Sequence, residues 1–432
     1  MKVVHVITGD EGGGGRAAYR LTKGLNMIGC DTTLYVASKF HPDPRTVVYR
    51  PSTNVGAKLG RLLFRMKTDI RNRAMGNREQ TLVRNHECQR GDEPVKQLPA
   101  ADLYSVHTVS NFFNYSAFWP AITMKTPVVW TLHLMSPFTG GCFTSYGCTR
   151  YQEQCGLCPQ IDSKKENDFS RGVWNDKRRI YSKIPAENLH LVCPSDWMRR
   201  NVTSSSLMGR FQATVIPNAV NTETYAPRDR KFARETLGIP VDAKVLLFIS
   251  QHSLSLKGKG FDLLLDMLSQ MDRTKNLQLL TLGPDCNFDV AIPHRHLGHI
   301  FDDNVLSLIY SAADLFVTPS LEDNLPNVVM ESIACGTPVV AFAAGGIPEM
   351  VRKNLTGEVV PLGDVRELRM AVEYLLNEDA VRRALSRSCR EVALREYGLV
   401  LQAERYLKIY REMLHETGST DAGIREPLCE SA

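Results

Sequence analysis

Residues 318–349, TPSLEDNLPNVVMESIACGTPVVAFAAGGIPE, decide the fold together with the strand LFVTPS, residues 315–320, that runs into them. An apolar run predicts a buried strand, a polar loop follows it, and a helix then leads to a second apolar run. We expect Asn324 to cap this helix, Pro326 to lie in its first turn and Gly336 to end it. Such a β-α-β unit belongs to a parallel sheet. Ligands of open parallel sheets bind beyond the carboxyl ends of the strands, so the loop LEDNLP is a candidate site.

Two acidic positions frame the predicted helix. Asp323, with Glu322 beside it, lies at its start, and Glu331 follows Asp323 by eight residues. Eight residues span about 12 Å along a helical axis. The acid and base of a glycosidase lie closer, at roughly 5 to 9.5 Å, so this spacing favours recognition of hydroxyl groups at two places on one elongated ligand. A solvated or locally paired helix carboxylate is the alternative interpretation of Glu331.

The size and composition of the chain limit the class of protein. It has 432 residues, 43% of them hydrophobic, which favours two domains of about 200 residues each. The net charge of +5 is mild, and the basic residues form no patch with interleaved aromatic side chains, which argues against a nucleic-acid partner. No apolar run approaches about 18 residues, and the first residues read directly as a strand. We therefore expect a cytoplasmic protein without a membrane span.

The opening segment, residues 3–25, predicts a buried strand, a glycine loop and a helix, as in a Rossmann-like domain. Gly12, Gly14 and Ala17 formally satisfy the dinucleotide pattern G-x-G-x-x-A. That pattern also requires an acidic residue at the end of the second strand, but the predicted strand TTLYVAS ends at Ser38. A dinucleotide oxidoreductase is therefore disfavoured. The loop can still offer backbone N–H groups to an anion, and a plain tight turn is the alternative.

A basic amphipathic segment spans residues 56–78, where apolar residues alternate with seven lysines and arginines and a single acid. This pattern is compatible with contact to an anionic membrane surface or with reception of a lipid-linked acceptor. A helix docked on the core with a solvated basic face is the other interpretation.

Two predicted strands, ADLYSVHTVS and TPVVWTLHL, each deliver a histidine near the carboxyl end, His107 and His133. His133 follows a buried run and is expected to emerge at the site. There its imidazole can donate a hydrogen bond to a hydroxyl or a phosphate.

Four of the eleven cysteines crowd one short loop: Cys142, Cys148, Cys155 and Cys158. Thiols or metal ligands are favoured over disulfides in the expected reducing compartment. Four thiolates can hold a structural zinc ion in a tetrahedron, although the spacings between the first three cysteines are not those of a standard zinc knuckle. Free structural thiols and a redox function remain open as alternatives.

The combined motifs resemble the family-4 retaining glycosyltransferases, in particular an exopolysaccharide branch that carries a cysteine-rich loop. The family has a Glu-x7-Glu pair, and Glu331 matches its second member. Asp323 stands where the family has the first Glu, and Glu322 next to it could substitute. The run Gly336-Thr337-Pro338, the segment WTLH that ends at His133, and the segment VIPNAVN at residues 215–221 also match.

The resemblance implies an α/β fold with two Rossmann-like domains that face a central cleft, known as GT-B. Residues 1–222 would form the acceptor-side domain and residues 223–398 the domain that binds the nucleotide-sugar donor. The helix 399–415 would pack back on the first domain, and the tail 416–432 is expected to be disordered.

The resemblance also implies roles for single residues. His133, Lys259 and Asp323 would act at the reacting centre, with Lys259 on the donor diphosphate. The remaining donor-binding residues would be Gly12, Gly13, Arg16, Lys257, Glu322, Asn324, Leu325 and Glu331, with Glu331 on the ribose. The family arginine after the first strand of the second domain is absent, since Ser250-Gln251-His252 occupies that region. No cofactor is expected for catalysis, and the only metal expected is the structural zinc.

The implied activity is retaining, metal-independent transfer of a hexosyl or related group from a nucleotide-diphosphate sugar. The acceptor would be a growing bacterial surface polysaccharide or oligosaccharide carried on a polyprenyl lipid. The protein would then lie peripherally on the inner face of the membrane. Two alternatives stay open: a nucleotide-sugar epimerase of the same architecture, and a non-catalytic subunit that binds sugar nucleotides.

Overall fold

The computed structural model describes residues 1–74, 86–250, 257–271, 276–284, 288–290 and 292–416. Its first domain is built on a parallel sheet of seven strands in the order β3-β2-β1-β4-β5-β6-β7. The strands are β1 (Lys2–Gly9), β2 (Asp31–Ser38), β3 (Thr46–Val48), β4 (Leu103–Val106), β5 (Val128–Thr131), β6 (Leu189–Cys193) and β7 (Gln212–Val215). The helices are α1 (Gly12–Met27), α2 (Val55–Ala74), α3 (Glu93–Lys96), α4 (Tyr115–Thr123), α5 (Phe169–Tyr181) and α6 (Asp196–Thr203).

The second domain repeats this plan with six parallel strands in the order β10-β9-β8-β11-β12-β13. They are β8 (Lys244–Ile249), β9 (Leu277–Leu282), β10 (His294–His296), β11 (Leu315–Thr318), β12 (Val339–Phe342) and β13 (Gly357–Val360). The helices are α7 (Arg230–Thr236), α8 (Phe261–Ser269), α9 (Asp303–Ala312), α10 (Asn327–Ala334), α11 (Ile347–Met350), α12 (Val365–Asn377) and α13 (Asp379–Glu396). Two Rossmann-like domains are therefore present, which confirms the predicted fold class.

The order of each sheet reverses at one point, between β1 and β4 in the first domain and between β8 and β11 in the second. Open parallel sheets bind ligands in the crevice that such a reversal creates at the carboxyl ends of the strands. The loops that follow these four strands supply most of the candidate site described below.

The last helix, α14 (Leu399–Glu416), leaves the second domain and returns to the first. The hydroxyl groups of Thr131 and Tyr406 lie 2.9 Å apart, and the hydroxyl of Tyr410 donates to Ser105 at 2.9 Å. The chain passes between the domains twice, once near Val220 and once near Tyr397. These two segments lie side by side, because the N–H of Val220 donates to the carbonyl of Tyr397. Of the predicted tail 416–432, residues 417–432 lie outside the described residues.

The β-α-β unit predicted from residues 315–349 is β11, α10 and β12, but its helix begins later than expected. Pro326 occupies the cap position and Asn327 is the first helical residue. The prediction that Asn324 caps the helix is wrong, because its side chain bonds to the first domain instead. Gly336 follows the helix with a φ of 73°, a conformation that a residue with a side chain rarely adopts.

Within the described residues, none of the helices combines the length and the apolar character needed to span a bilayer.

Candidate active site in the interdomain cleft

The loop between β11 and α10, which belongs to the second domain, contacts the first domain through Asn324. The Asn324 amide donates to the carbonyl oxygens of Leu132 (3.1 Å) and His133 (3.2 Å), and its Oδ1 accepts a hydrogen bond from Ser195 at 2.6 Å. Asn324 is buried, so these bonds satisfy a polar group that would otherwise be costly to enclose. The candidate loop therefore lies directly against the end of β5 of the first domain. Leu325 beside it belongs to the hydrophobic core of the second domain.

Lys259 and Asp323 meet at the mouth of this loop. The Lys259 Nζ lies 2.6 Å from Asp323 Oδ2, and both side chains retain some solvent exposure. The turn that carries Lys259 approaches the loop closely, because a Cβ on Gly260 would lie only 1.9 Å from the carbonyl oxygen of Pro319. Glycine at this position permits that approach. The side chain of the second predicted lysine, Lys257, lies outside the described part of the chain.

Glu322 has a different environment from Asp323. Its Oε1 accepts a hydrogen bond from the N–H of Ser145 at 2.6 Å, and the N–H groups of Tyr146 and Gly147 also bond to it. Burial raises the pKa of Glu322, and the three peptide N–H groups oppose that shift. Glu322 therefore holds the cysteine-rich loop of the first domain against the second, while Asp323 is the acid that faces Lys259.

Glu331 lies on α10 and is only 1% exposed. Arg20 lies 2.7 Å from its Oε1, Arg16 lies 3.6 Å from the same atom, and the Tyr310 hydroxyl lies 3.1 Å from its Oε2. Arg16 also pairs with Asp303 at 3.2 Å. Glu331 is therefore a paired carboxylate and not a solvated one, because three polar groups enclose it in a buried cluster.

The two arginines of this cluster come from α1 of the first domain. Burial would lower the pKa of Arg20, but Glu331, Tyr225 and Asp303 together outweigh burial and the pKa is raised. Arg20 is not among the predicted site residues. Its position could have been predicted from that of Arg16, because residues four apart on a helix lie on the same face.

An open cavity, whose empty space together with the solvent at its mouth is about 300 Å³, adjoins the cluster of Glu331 with Arg16, Arg20 and Tyr310. Its lining comes from both domains and includes Arg16, Ser250, His299, Ile300, Tyr310 and Glu331. Ser250 follows β8 directly, so the cavity lies at the carboxyl end of this strand, where the sheet of the second domain reverses its order. This is the position at which doubly wound domains receive a nucleotide.

The glycine loop of the first domain borders the same cleft. Gly12 and Gly13 open α1, and the amide of Asn327 from the second domain donates to the carbonyl of Gly13 at 2.8 Å. A Cβ on Gly14 would lie 3.5 Å from the ring of His133, so the loop and this histidine are in contact range. Burial lowers the pKa of His133 to about 4, and the ring is therefore neutral near pH 7.

The cysteine-rich loop lies next to the site without forming a compact sulfur cluster. Cys142 and Cys158 pack together beside Ile161 and Phe169, and Cys155 accepts a hydrogen bond from the N–H of Gly140 at 3.1 Å. Among the described residues, the one group of three side chains whose ligand atoms lie within 4.8 Å of one another is His86, Glu87 and Asp176. The four loop cysteines do not form such a group.

Lys177 is fully buried beside the cysteine-rich loop and donates to the carbonyl oxygens of Ser136 and Thr139. Burial lowers the pKa of Lys177 to about 7, an effect that negative charge on Cys142 and Cys155 opposes. The loop thus contains a buried amine whose positive charge would be favoured by thiolate neighbours.

Comparison with known proteins agrees with this geometry. The model of the family described as Glycosyltransferase Family 4 matches residues 11–224, and the model described as Glycosyl transferases group 1 matches residues 243–378. The chain belongs to the glycosyltransferase families that these two models describe. The two matched regions contain the glycine loop, the turn of Lys259 and the whole of α10, so each side of the cleft lies within a family match.

Curated relatives of this chain include the D-inositol 3-phosphate glycosyltransferases of Mycobacterium tuberculosis and Mycobacterium bovis. Each is 29% identical over 201 residues, which is 43% of this chain and 40% of the relative. The chain thus matches well under two thirds of the length of these relatives.

Solved structures with the same fold cover nearly the whole chain. Sucrose-phosphate synthase from Thermosynechococcus elongatus superposes with a TM-score of 0.66 at 19% identity, covering 96% of this chain and 99% of that chain. Anabaena HepE, solved in complex with UDP-glucose, gives 0.61 at 15% identity, covering 95% and 100%. WaaG, which takes part in lipopolysaccharide biosynthesis, gives 0.58 at 15% identity, covering 94% and 99%. These likenesses confirm the GT-B arrangement of the two domains.

Proposed function

We propose that this chain is a retaining glycosyltransferase that uses a nucleotide-diphosphate sugar as donor. The observation that carries the proposal is the contact of Lys259 with Asp323 at the cleft, close to the loop that leads to Glu331 and its cavity. The second domain thus offers Lys259 as a cation for the diphosphate and Asp323 as an acid for the transferred sugar. It also offers the cavity beside Glu331 for the nucleoside. HepE, a protein of the same fold, binds UDP-glucose in its crystal structure.

The proposed donor runs from the cavity to the mouth of the cleft. The nucleoside occupies the cavity beside His299, with its ribose hydroxyls toward Glu331, and the diphosphate lies between Lys259 and the N–H groups at the start of α1. A helix N-terminus favours an anion because its first N–H groups have no partner within the helix. The sugar then lies between Asp323 and His133.

The proposed reaction retains the configuration of the sugar. The acceptor hydroxyl attacks from the face that the diphosphate leaves and gives its proton to the departing phosphate oxygen, while Lys259 stabilises the negative charge that grows on that oxygen. Asp323 orients the sugar and is itself oriented by Lys259. Because the lysine supplies the positive charge, no step of this scheme requires a divalent metal ion.

The proposed acceptor is a polyprenyl-linked oligosaccharide or polysaccharide of the bacterial surface, reached from the cytoplasmic face of the membrane. Helix α2 supports this part of the proposal, because Val55, Leu59, Leu62, Leu63 and Met66 are all more than half exposed. Lysines and arginines share the same helix with a single acid. Exposed apolar side chains with neighbouring basic residues are typical of helices that lie in a membrane interface.

The test is donor turnover by the purified chain and by Lys259→Ala. Nucleotide sugars with uracil, guanine and adenine bases are offered with and without a lipid-linked saccharide, and the anomeric configuration of the product is read by proton NMR. Lys259→Ala should lower kcat/KM by roughly 10² or more, because it removes a preorganised charge from the transition state. Lys231→Ala, at a lysine that is 71% exposed and away from the cleft, should leave kcat/KM unchanged.

The two alternative functions give different results in the same assay. Conversion of the donor in the absence of any acceptor would indicate an epimerase, and nucleotide binding without any turnover would indicate a binding subunit. A product of inverted configuration would contradict the proposed mechanism while keeping the donor site.

A further inference from the structure

Three histidines form a continuous hydrogen-bonded column that runs from the cleft into the first domain. His107 Nδ1 lies 3.1 Å from His133 Nε2, and His107 Nε2 lies 3.2 Å from His5 Nδ1. The rings are stacked, with centroids 5.4 and 5.5 Å apart. They come from β1 and from the ends of β4 and β5, which are neighbours in the sheet. His5 and His107 are fully buried, so only His133 can meet a ligand.

The column links the tautomers of its members. Burial lowers the pKa of each ring, and all three are neutral near pH 7. A neutral imidazole carries one N–H donor and one bare acceptor nitrogen. Each contact in the column needs one donor and one acceptor, so the three rings carry their protons either all on Nδ1 or all on Nε2.

The inner end of the column distinguishes these two states. His5 Nε2 is buried and has no hydrogen-bond partner among the described residues. A proton there would leave a buried N–H group without an acceptor, and orphaned buried N–H groups are the rarer kind of unsatisfied group in proteins. The state with all protons on Nδ1 avoids this, since His5 then donates to His107 and His107 donates to His133.

The outer end of the column is open to the cleft. His133 Nδ1 has no partner in the described part of the chain, and it is not among the enclosed unpartnered atoms. It therefore remains accessible beside the glycine loop, whose Gly14 lies against the same ring.

We propose that His5 and His107 are positioning residues that hold the proton of His133 on Nδ1, so that this histidine presents a hydrogen-bond donor to an oxygen of the nucleotide sugar. The inference rests on the proposed function for the identity of the ligand, but not for the tautomer. Neither buried histidine touches the donor. They act only through the proton position that they impose on His133.

The tautomer can be read without any substrate. In protein labelled with ¹⁵N-histidine, a protonated and a bare ring nitrogen differ strongly in chemical shift, and the His133 signals are assigned by their loss in His133→Gln. We expect His133 Nδ1 to be protonated and Nε2 bare near pH 7. The opposite assignment in the unmodified protein would overturn the proposal.

Two substitutions of His107 separate positioning from packing. His107→Phe removes the donor to His133 Nε2, so the His133 proton should move partly to Nε2 and kcat/KM should fall roughly tenfold. The amide nitrogen of His107→Asn can replace the Nδ1 donor and should restore both the tautomer and most of the activity. Equal losses in both variants, with the His133 tautomer unchanged, would show that His107 serves packing alone.

Titration with UDP-glucose, GDP-mannose and ADP-glucose tests the ligand part separately. Binding should shift the His133 Nδ1 signal more than the His5 signals. A donor that binds without affecting His133 would overturn the assignment of the ligand. Failure of all three to bind or react would count against the proposed function and would leave the tautomer result standing.

Discussion

Arg20 of the first domain and Glu331 of the second form an ion pair with an N–O distance of 2.7 Å. Both side chains are almost completely buried, and Glu331 also lines the cavity proposed for the nucleoside. The residue proposed to bind the ribose thus also holds a contact between the domains. The proposed nucleotide binding and the observed contact between the domains thus involve the same carboxylate.

The ion pair should make Arg20 important for stability. Removing one partner of a buried pair leaves an uncompensated charge, so Arg20→Met should lower the free energy of unfolding by about 3 kcal/mol. The measurement is urea unfolding followed by circular dichroism. Arg200→Met, which breaks an exposed pair with Asp196, should change it by less than about 1 kcal/mol. An Arg20 variant as stable as the Arg200 variant would contradict the buried-pair description.

Glu331 should affect donor binding more than the chemical step. Glu331→Ala would remove hydrogen bonds made in both the ground state and the transition state. It should therefore mainly raise the KM for the donor, by an amount that corresponds to roughly 1.5 to 3 kcal/mol. Because alanine also leaves Arg20 unpaired, the double variant Arg20→Met/Glu331→Ala serves as the control for stability. A fall in kcat alone, at unchanged KM, would argue against ribose recognition.

The neighbouring acids Glu322 and Asp323 should have different functions. Asp323→Ala should lower kcat/KM, because Asp323 faces Lys259. Glu322→Ala should instead release the peptide groups of residues 145–147, seen as faster hydrogen exchange in that segment. Turnover and exchange by mass spectrometry, measured on both variants, test this assignment. Slower chemistry in Glu322→Ala with unchanged exchange would reverse it.

Helix α2 should bind anionic membranes. We expect the chain to sediment with vesicles that contain phosphatidylglycerol at low salt and to be released as ionic strength rises, because salt screens the attraction. Leu59→Ser/Leu62→Ser should weaken sedimentation, whereas Val241→Ser, at an exposed apolar residue outside the helix, should have no effect. A protein that stays in the supernatant at low salt would end the membrane proposal.

The cysteine-rich loop should bind one structural zinc ion. The four thiols do not converge on one point, so a tetrahedral site with Zn–S bonds of about 2.3 Å requires the loop to contract, and buried Lys177 would offset part of the added negative charge. Elemental analysis of protein purified without chelator should find about one zinc per chain. Cys155→Ser/Cys158→Ser should lose the zinc and lower the unfolding midpoint, whereas Cys30→Ser should retain the zinc. A stable, metal-free wild-type chain would favour free structural thiols.

The spacing of apolar residues along the sequence was sufficient to predict the strands and helices of each domain. Apolar runs and glycine turns predicted the β-α-β unit around α10, because the buried face of a strand or helix determines where its apolar residues recur. The spacing of acids around this helix selected Asp323 and Glu331 as candidate residues, whereas Lys259 was implied by the family resemblance. The prediction from local pattern failed at Asn324, where a residue suited to capping a helix bonds across the cleft instead.

The pairings between these residues were decided by tertiary structure. Arg20 and Glu331 are separated by 311 residues, and His5 and His107 by 102, so no local periodicity links them. Glu322 and Asp323 are adjacent in sequence, yet one binds peptide groups of the first domain and the other binds Lys259. The sequence by itself determined which elements form and which faces they bury. Which charged and polar groups meet depended on how the two domains pack, because only packing sets the distances between distant side chains.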